Sequence, residues 1–178
     1  MSSTTGESTD TYICDTVVFI TNFVERLQKA RQRARLITTP EVEAEVKDVH
    51  TQYVLSSAIG YGLEISSADP SFIKQVRDAA EHSGDAMVLS DADISLLAKA
   101  LEVKKTELLE DENLKIVTDD YDIQNMCLKL GILFMPLIQE GVHNVKNWTY
   151  WCPACKRRWE KGGNCPVCGT LLTTKRIR

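Results

Sequence analysis

Short apolar runs alternate with amphipathic stretches along this chain. YICDTVVFI begins as a brief apolar strand, meets Asp15 at its end and continues as a helical stretch to about Ala34. RLITT reads as a second strand. Pro40 follows, and its fixed φ and missing N–H suit the first turn of a helix through EVEAEVKDV. From His50 to Ser67 no period is clear, with GLEI as a possible strand, before a Pro-started helix, PSFIKQVRDAAEHSG, closed by Gly84. LSDADISLLAKALEV is a helix with Ser90 as N-cap and Asp93 three residues on, a capping-box arrangement. LKIVT is a strand, YDIQNMCLKLG a helix ended by Gly131, and ILFMPL the last apolar strand. This alternation predicts an α/β fold with a central, mostly parallel sheet flanked by helices, because parallel strands need crossovers that helices provide.

The length of 178 residues, 43% of them hydrophobic, leaves room for one core and a small module beside it. The expected division is a polar tail at 1–10, an α/β domain at 11–138, a linker at 139–147, a small module at 148–172 and a basic tail at 173–178. MSSTTGESTD has no charged region followed by an apolar one, and no apolar run approaches a membrane span, so a soluble cytoplasmic protein without membrane contact is expected.

Charge is unevenly spread. From His143 onward eight Lys/Arg face one acid, whereas the first 142 residues hold 13 Lys/Arg against 24 acids, giving +7 and −11. An acidic body of this kind argues against simple charge-driven nucleic-acid binding, while the basic end is a candidate phosphate-contacting surface.

Four of the six cysteines lie in YWCPACKRRWEKGGNCPVCGTLL. Cys152 and Cys155 form one C-x-x-C knuckle and Cys165 and Cys168 another, a spacing that brings four thiolates to the corners of a tetrahedron. Zn²⁺ suits such a site, and with all four positions filled by protein its role is structural. A module this small needs the metal in order to fold. Lys156, Arg157, Arg158 and Lys161 between the knuckles, with Lys175, Arg176 and Arg178 after them, are candidate RNA contacts. Trp148, Tyr150, Trp151 and Trp159 interleave with these charges and are candidates either for stacking on unpaired bases or for packing the module's core. Cys14 and Cys127 read as packing thiols, and His50, His82 and His143 show no ligand spacing.

KIVTDDYDIQN places Asp119, Asp120 and Asp122 within four positions after an apolar strand. In open α/β sheets the functional crevice lies beyond the carboxyl ends of strands, which singles out these acids and Asp15. Glu45 and Asp93, near helix starts, can point into the same crevice. Four carboxylates together would hold a hard cation such as Mg²⁺ or Mn²⁺ and support phosphodiester hydrolysis. Each acid also has a plain structural explanation: Asp93 in a capping box, Glu41, Glu43 and Glu45 in a first helical turn, Asp15 as a cap.

CDTVVFI, TTPEVEAEVKD, LSDADISLLAKALE and VTDDYDIQN, in that order, resemble the PIN (PilT N-terminus) domain nucleases over residues 11 to about 137. VTDDYDIQN followed by LGI, a linker and a W-x-Y-x-C-P-x-C ribbon more narrowly resembles the NOB (Nin-one-binding) endonucleases of ribosome maturation, and the short ribbon is closer to the archaeal than the eukaryotic type. That resemblance implies that Asp15, Glu45, Asp93 and Asp120 hold the catalytic Mg²⁺ or Mn²⁺, with Thr16 and Thr118 flanking them. Asp119 and Asp91 would assist through water. It also implies cleavage of precursor small-subunit ribosomal RNA at its mature 3′ end, on single-stranded RNA in the pre-small-subunit particle. His50 to Asp69 departs most from the family pattern. A non-catalytic RNA- or ribosome-binding factor with a zinc ribbon is the rival reading; a toxin-like PIN nuclease fits less well, because such toxins seldom carry a ribbon.

Overall fold

The computed structural model describes residues 10–107, 113–142 and 147–177. The expected polar tail, apart from Asp10, and the centre of the expected linker lie outside them. Five parallel strands form the central sheet: β1 (Asp10–Cys14), β2 (Ala34–Thr38), β3 (Glu64–Ile65), β4 (Leu114–Val117) and β5 (Leu133–Met135), in the spatial order β3-β2-β1-β4-β5. Ile13 stands opposite Ile37 on one side and Ile116 on the other, and Cys14 stands opposite Val117. All five of these residues are fully buried, as expected where helices cover both faces of a parallel sheet. Burial pushes the Cys14 thiol up to about 12, and Cys127 is likewise raised by burial, so both are packing groups.

The covering helices are α1 (Val17–Ile20), α2 (Phe23–Lys29), α3 (Pro40–Glu45), α4 (Val49–Gly60), α5 (Pro70–Ser83), α6 (Asp91–Thr106) and α7 (Tyr121–Leu130). Helix α6 is enclosed almost all round, with Leu96, Leu97, Ala98 and Ala100 at zero exposure. Its start carries the expected capping box: the Ser90 N–H donates to Asp93 at 2.7 Å and the Asp93 N–H to Ser90 Oγ at 3.1 Å. Gly84 (φ 80°) and Gly131 (φ 65°) end α5 and α7 in the left-handed conformation.

Three local readings change. The helical stretch after Asp15 is two helices, broken at Asn22 (φ 52°), and it ends at Ala30 because Arg31 is left-handed (φ 53°) and the Gln32 N–H returns to the Leu27 carbonyl. EVEAEVKDV is not one helix either. Val46 is extended, ending α3, and Asp48 caps α4 by accepting the Thr51 N–H at 2.9 Å. Helix α4 itself escaped the periodic reading because Val49, Tyr53 and Ile59 are apolar or aromatic yet exposed among His50, Gln52 and Ser56, which blurs the contrast with its buried face.

The chain runs outward from β1 to β3 and then returns to β4 beside β1. That reversal is a topological switch point, which opens a crevice beyond the carboxyl ends of β1 and β4. A second, antiparallel sheet, β7-β6-β8, is built from β6 (Asn147–Trp151), β7 (Arg158–Trp159) and β8 (Thr173–Ile177) around a small core of Tyr150, Cys152, Cys165 and Leu172, so residues 173–177, expected as a basic tail, are instead the module's third strand, paired along all of β6. This module meets the body at the end of α5. A Cβ on Gly84 would come within 2.9 Å of Trp148, so glycine permits the close approach as well as the helix end. Among the described residues no helix is long and apolar enough to cross a membrane.

Candidate functional site

Asp15 immediately follows β1 and is anchored on both oxygens. Oδ1 accepts the Thr16 N–H at 2.6 Å, and Oδ2 accepts the Thr118 hydroxyl at 2.6 Å from the end of β4. The same Thr118 oxygen accepts the Asp120 N–H at 3.0 Å. Asp120 in turn caps α7, accepting the Asp122 N–H at 2.7 Å. Thr118, at zero exposure, thus joins the two strand-end acids through one buried hydroxyl.

Glu45, at the end of α3, and Asp93, in the first turn of α6, complete the group. Burial raises the Asp15 pKa above its ordinary value, with the charges of Asp93 and Asp120 adding to it, while the bonds from Thr118 and Thr16 oppose it. Glu45 is raised first by desolvation and then by Asp93 and Asp15; Asp93 is raised first by desolvation and also by Asp120. Asp15 and Asp93 therefore each feel Asp120, and Glu45 feels Asp93 and Asp15, although the four come from different segments. No three of them bring ligand atoms within 4.8 Å of one another; among the described residues only the four cysteines do so. An open set of carboxylate oxygens suits a cation that takes few direct protein ligands and keeps several waters, as Mg²⁺ and Mn²⁺ do.

The two acids expected to assist are engaged elsewhere. Asp119 turns away from Asp120 and accepts the N–H groups of Leu137, Ile138 and Gln139 at 3.0–3.1 Å, bracing the segment after β5. Asp91 lies 2.7 Å from Arg77, on the surface. Other polar contacts hold the crevice and were not read from the sequence. Thr39 and Ser95, both buried, are 2.7 Å apart and tie the start of the Glu45 helix to the first turns of the Asp93 helix. The Thr38 hydroxyl donates to the Cys14 carbonyl at 2.8 Å, and buried Gln124 donates to the Thr118 carbonyl at 3.0 Å while accepting the Val142 N–H at 2.9 Å. Thr39 was visible as the residue before Pro40; Ser95 and Gln124 carry no comparable sequence signal.

Cys152, Cys155, Cys165 and Cys168 converge in the small module. The Sγ atoms of Cys152 and Cys168 are 3.4 Å apart and those of Cys155 and Cys165 are 3.6 Å apart. A tetrahedron with metal–sulfur bonds of about 2.3 Å has edges of about 3.8 Å, so the four thiols fit one Zn²⁺ closely. The Cys155 N–H points at Cys152 Sγ (3.4 Å) and the Thr170 hydroxyl lies 3.4 Å from Cys168 Sγ, contacts that would steady thiolates.

Lys156, Arg157, Arg158, Lys161 and Lys175 are all exposed on this module. Trp159, a candidate for RNA stacking or for core packing, is partly buried against Tyr150 and the cysteines, with its indole N–H buried, because the module has little else to fill its core. Trp151 is the aromatic beside the cations: Lys175 Nζ lies 4.3 Å and Lys156 Nζ 5.9 Å from its ring centre. Arg178 and the side chain of Arg176 lie outside the described residues.

Comparison with known proteins agrees with this architecture. Residues 12–103 match the family model for the PIN domain of ribonuclease. The chain is 35% identical to endoribonuclease Nob1 of Archaeoglobus fulgidus over 80% of its own length and 81% of the relative's. It is 36% identical to endoribonuclease Nob1 of Pyrococcus abyssi, over 75% and 79% respectively. Similarity also extends, at 28% identity over 89% and 74%, to ribonuclease VapC1 of Thermoplasma acidophilum.

Proposed function

The chain belongs to the PIN-domain ribonucleases, and within them to the Nob1 endoribonucleases; from that premise we propose that it cleaves precursor small-subunit ribosomal RNA at the mature 3′ end, in the crevice of Asp15, Glu45, Asp93 and Asp120. It is a divalent-metal-dependent endoribonuclease. The observation that carries the site assignment is the Thr118 hydroxyl, which binds Asp15 and receives the Asp120 N–H, fixing two acids at adjacent strand ends.

Asp15, Asp93 and Asp120 would hold the Mg²⁺ or Mn²⁺, and Glu45 with Asp93 would orient the water that attacks phosphorus. Bound there, the cation supplies an acidified water and positive charge for the leaving oxygen. Thr16 and Thr118 keep Asp15 aimed into the crevice. Residues 11–138 form the cutting domain; residues 147–177 form a zinc ribbon that positions single-stranded RNA of the pre-small-subunit particle. Lys156, Arg157, Arg158, Lys161 and Lys175 contact phosphates, and residues 139–147 join the two parts.

The test is cleavage of a single-stranded RNA spanning a small-subunit 3′ junction, with Mn²⁺ or with EDTA, by the native chain, Asp15→Asn and Asp120→Asn. Specific cleavage that needs the metal and falls by about 100-fold or more in each variant is expected. Retained cleavage in the double variant would remove the proposed site.

A further inference from the structure

Asp85 is a buried carboxylate that the cleavage chemistry does not use. It opens a single 3₁₀ turn, Asp85–Met87, between α5 and α6, and it has zero exposure, a burial that no other acid among the described residues matches. Its Oδ2 pairs with Lys129 Nζ at 2.5 Å and also accepts the Ser83 hydroxyl, while Oδ1 accepts the Asn125 amide at 3.0 Å. The Lys129 side chain is itself only 13% exposed, so both members of the ion pair are withdrawn from water.

These bonds reach both helices whose starts carry acids of the crevice. Asn125 and Lys129 stand on α7, five and nine residues after its N-cap Asp120, so Asp85 grips that helix about 8 and 14 Å along its axis from the acid. Asn125 is also the neighbour of Gln124, which donates to the Thr118 carbonyl at 3.0 Å, so two adjacent buried amides tie α7 to Asp85 and to the end of β4. On the other side, the Asp85 carbonyl accepts the N–H groups of Val88 at 2.9 Å and Leu89 at 3.3 Å, holding the segment that enters the Ser90–Asp93 capping box. Asp93 in turn feels the charge of Asp120 across the space between the two helix starts. Stability alone does not call for such a group, because exchanging a buried ion pair for well-packed apolar side chains is often neutral or stabilising. What a carboxylate with three donors adds is direction, since hydrogen bonds fix both distance and angle where apolar contacts slide.

We propose that Asp85 is a positioning residue for the catalytic cation. Through its grip on Asn125, with Lys129 as counter-ion, it sets Asp120, and through the turn before Ser90 it sets Asp93, at the separation that the cation requires. This rests on the metal-dependent cleavage reading above for the role of the two acids, and it adds a residue remote in sequence from all four acids on which the affinity for the cation depends.

The experiment reads Mn²⁺ binding to the full-length chain without RNA, as loss of the free ion's electron paramagnetic resonance signal. Asp85→Leu/Lys129→Met removes both charges together at similar volume, so the chain is expected to stay folded, which thermal melting checks. Its Mn²⁺ dissociation constant should rise about tenfold, with a matching rise in the Mn²⁺ needed for half-maximal cleavage. Asp85→Asn/Lys129→Met also lacks the ion pair but keeps an acceptor for Asn125, and it should recover most of the native affinity. Asn125→Ala cuts the same link from α7 and should repeat the tenfold loss, which carries the comparison if the leucine variant melts below the assay temperature. Folded leucine and alanine variants that bind Mn²⁺ like the native chain would overturn the proposal, because a merely structural role predicts that result. Equal losses in the two double variants would overturn it as well, tracing the effect to the lost charges and not to the grip on Asn125. A native chain that binds Mn²⁺ but cleaves no RNA would instead count against the cleavage reading, because the resonance measurement requires no cleavage.

Discussion

Thr118 donates its hydroxyl to Asp15 at 2.6 Å across 103 positions of sequence, from the end of β4 to the end of β1. Since that oxygen also accepts the Asp120 N–H, replacing it with a methyl group breaks both links at unchanged volume. Thr118→Val is expected to cost about 1–3 kcal/mol of stability, and to lower cleavage about 10- to 100-fold with a higher Mn²⁺ requirement. Thr118→Ser should restore most of each. A valine variant with a native Mn²⁺ titration would show that the hydroxyl does not position the acids.

The acids make stability depend on pH in a defined direction. Burial first, and mutual repulsion after it, raise Asp15, Glu45 and Asp93 above their ordinary values of 3.8 and 4.5. Without a divalent ion the folded chain therefore holds these protons more tightly than the unfolded chain. Their contribution to stability is full below the ordinary carboxylate range and is lost as pH rises through the raised values. The melting temperature of the native chain minus that of Asp15→Asn should accordingly fall as pH climbs from about 4 toward neutrality. Added Mn²⁺ at neutral pH should raise the native melting temperature and leave Asp15→Asn little changed. A difference that grows with pH would contradict this.

Adjacent carboxylates at 119 and 120 have opposite assignments. Asp119 accepts three backbone N–H groups from residues 137–139, so Asp119→Ala leaves a turn without its acceptor and should cost about 1.5–3 kcal/mol, read by denaturant unfolding. Cleavage per folded molecule should fall far less than in Asp120→Asn. Equal losses of activity at unchanged stability would place Asp119 in the chemistry.

Zinc should be present at one ion per chain, measured by elemental analysis, and Cys168→Ser should release it, since a structural site of this kind supplies the folding energy of its module. Hydrogen exchange then discriminates between local and global effects. Amides of β6 and β8 are expected to lose protection in the variant, while Val117 in the central sheet keeps its own. Retained protection in β6 would mean that the ribbon folds without metal.

What could be read in the sequence was local. The capping box at Ser90 and Asp93, the glycine helix ends, the two C-x-x-C knuckles and the acids just past β1 and β4 each depend on residues within a turn or so of one another, and these readings agree with the structure. The alternation of strands and helices likewise set the fold class. Helix α4 was missed because Val49, Tyr53 and Ile59 on its exposed side interrupt the contrast with its buried one, and the break at Asn22 because only the backbone reveals a left-handed residue there. The resemblance set Asp120 apart from Asp119, but what Asp119 does instead was not legible, because the amides that claim it come from a segment 18–20 positions away. Trp159 went to the ribbon core because so small a module recruits any ring within reach. The strand order that sets β4 beside β1, the Thr118 hydroxyl shared by two acids and the Thr39–Ser95 contact between two helices were decided only by tertiary structure. A side chain's local conformation follows from its immediate neighbours, but its partners depend on which distant strands pair, and pairing is selected by burial of the whole core.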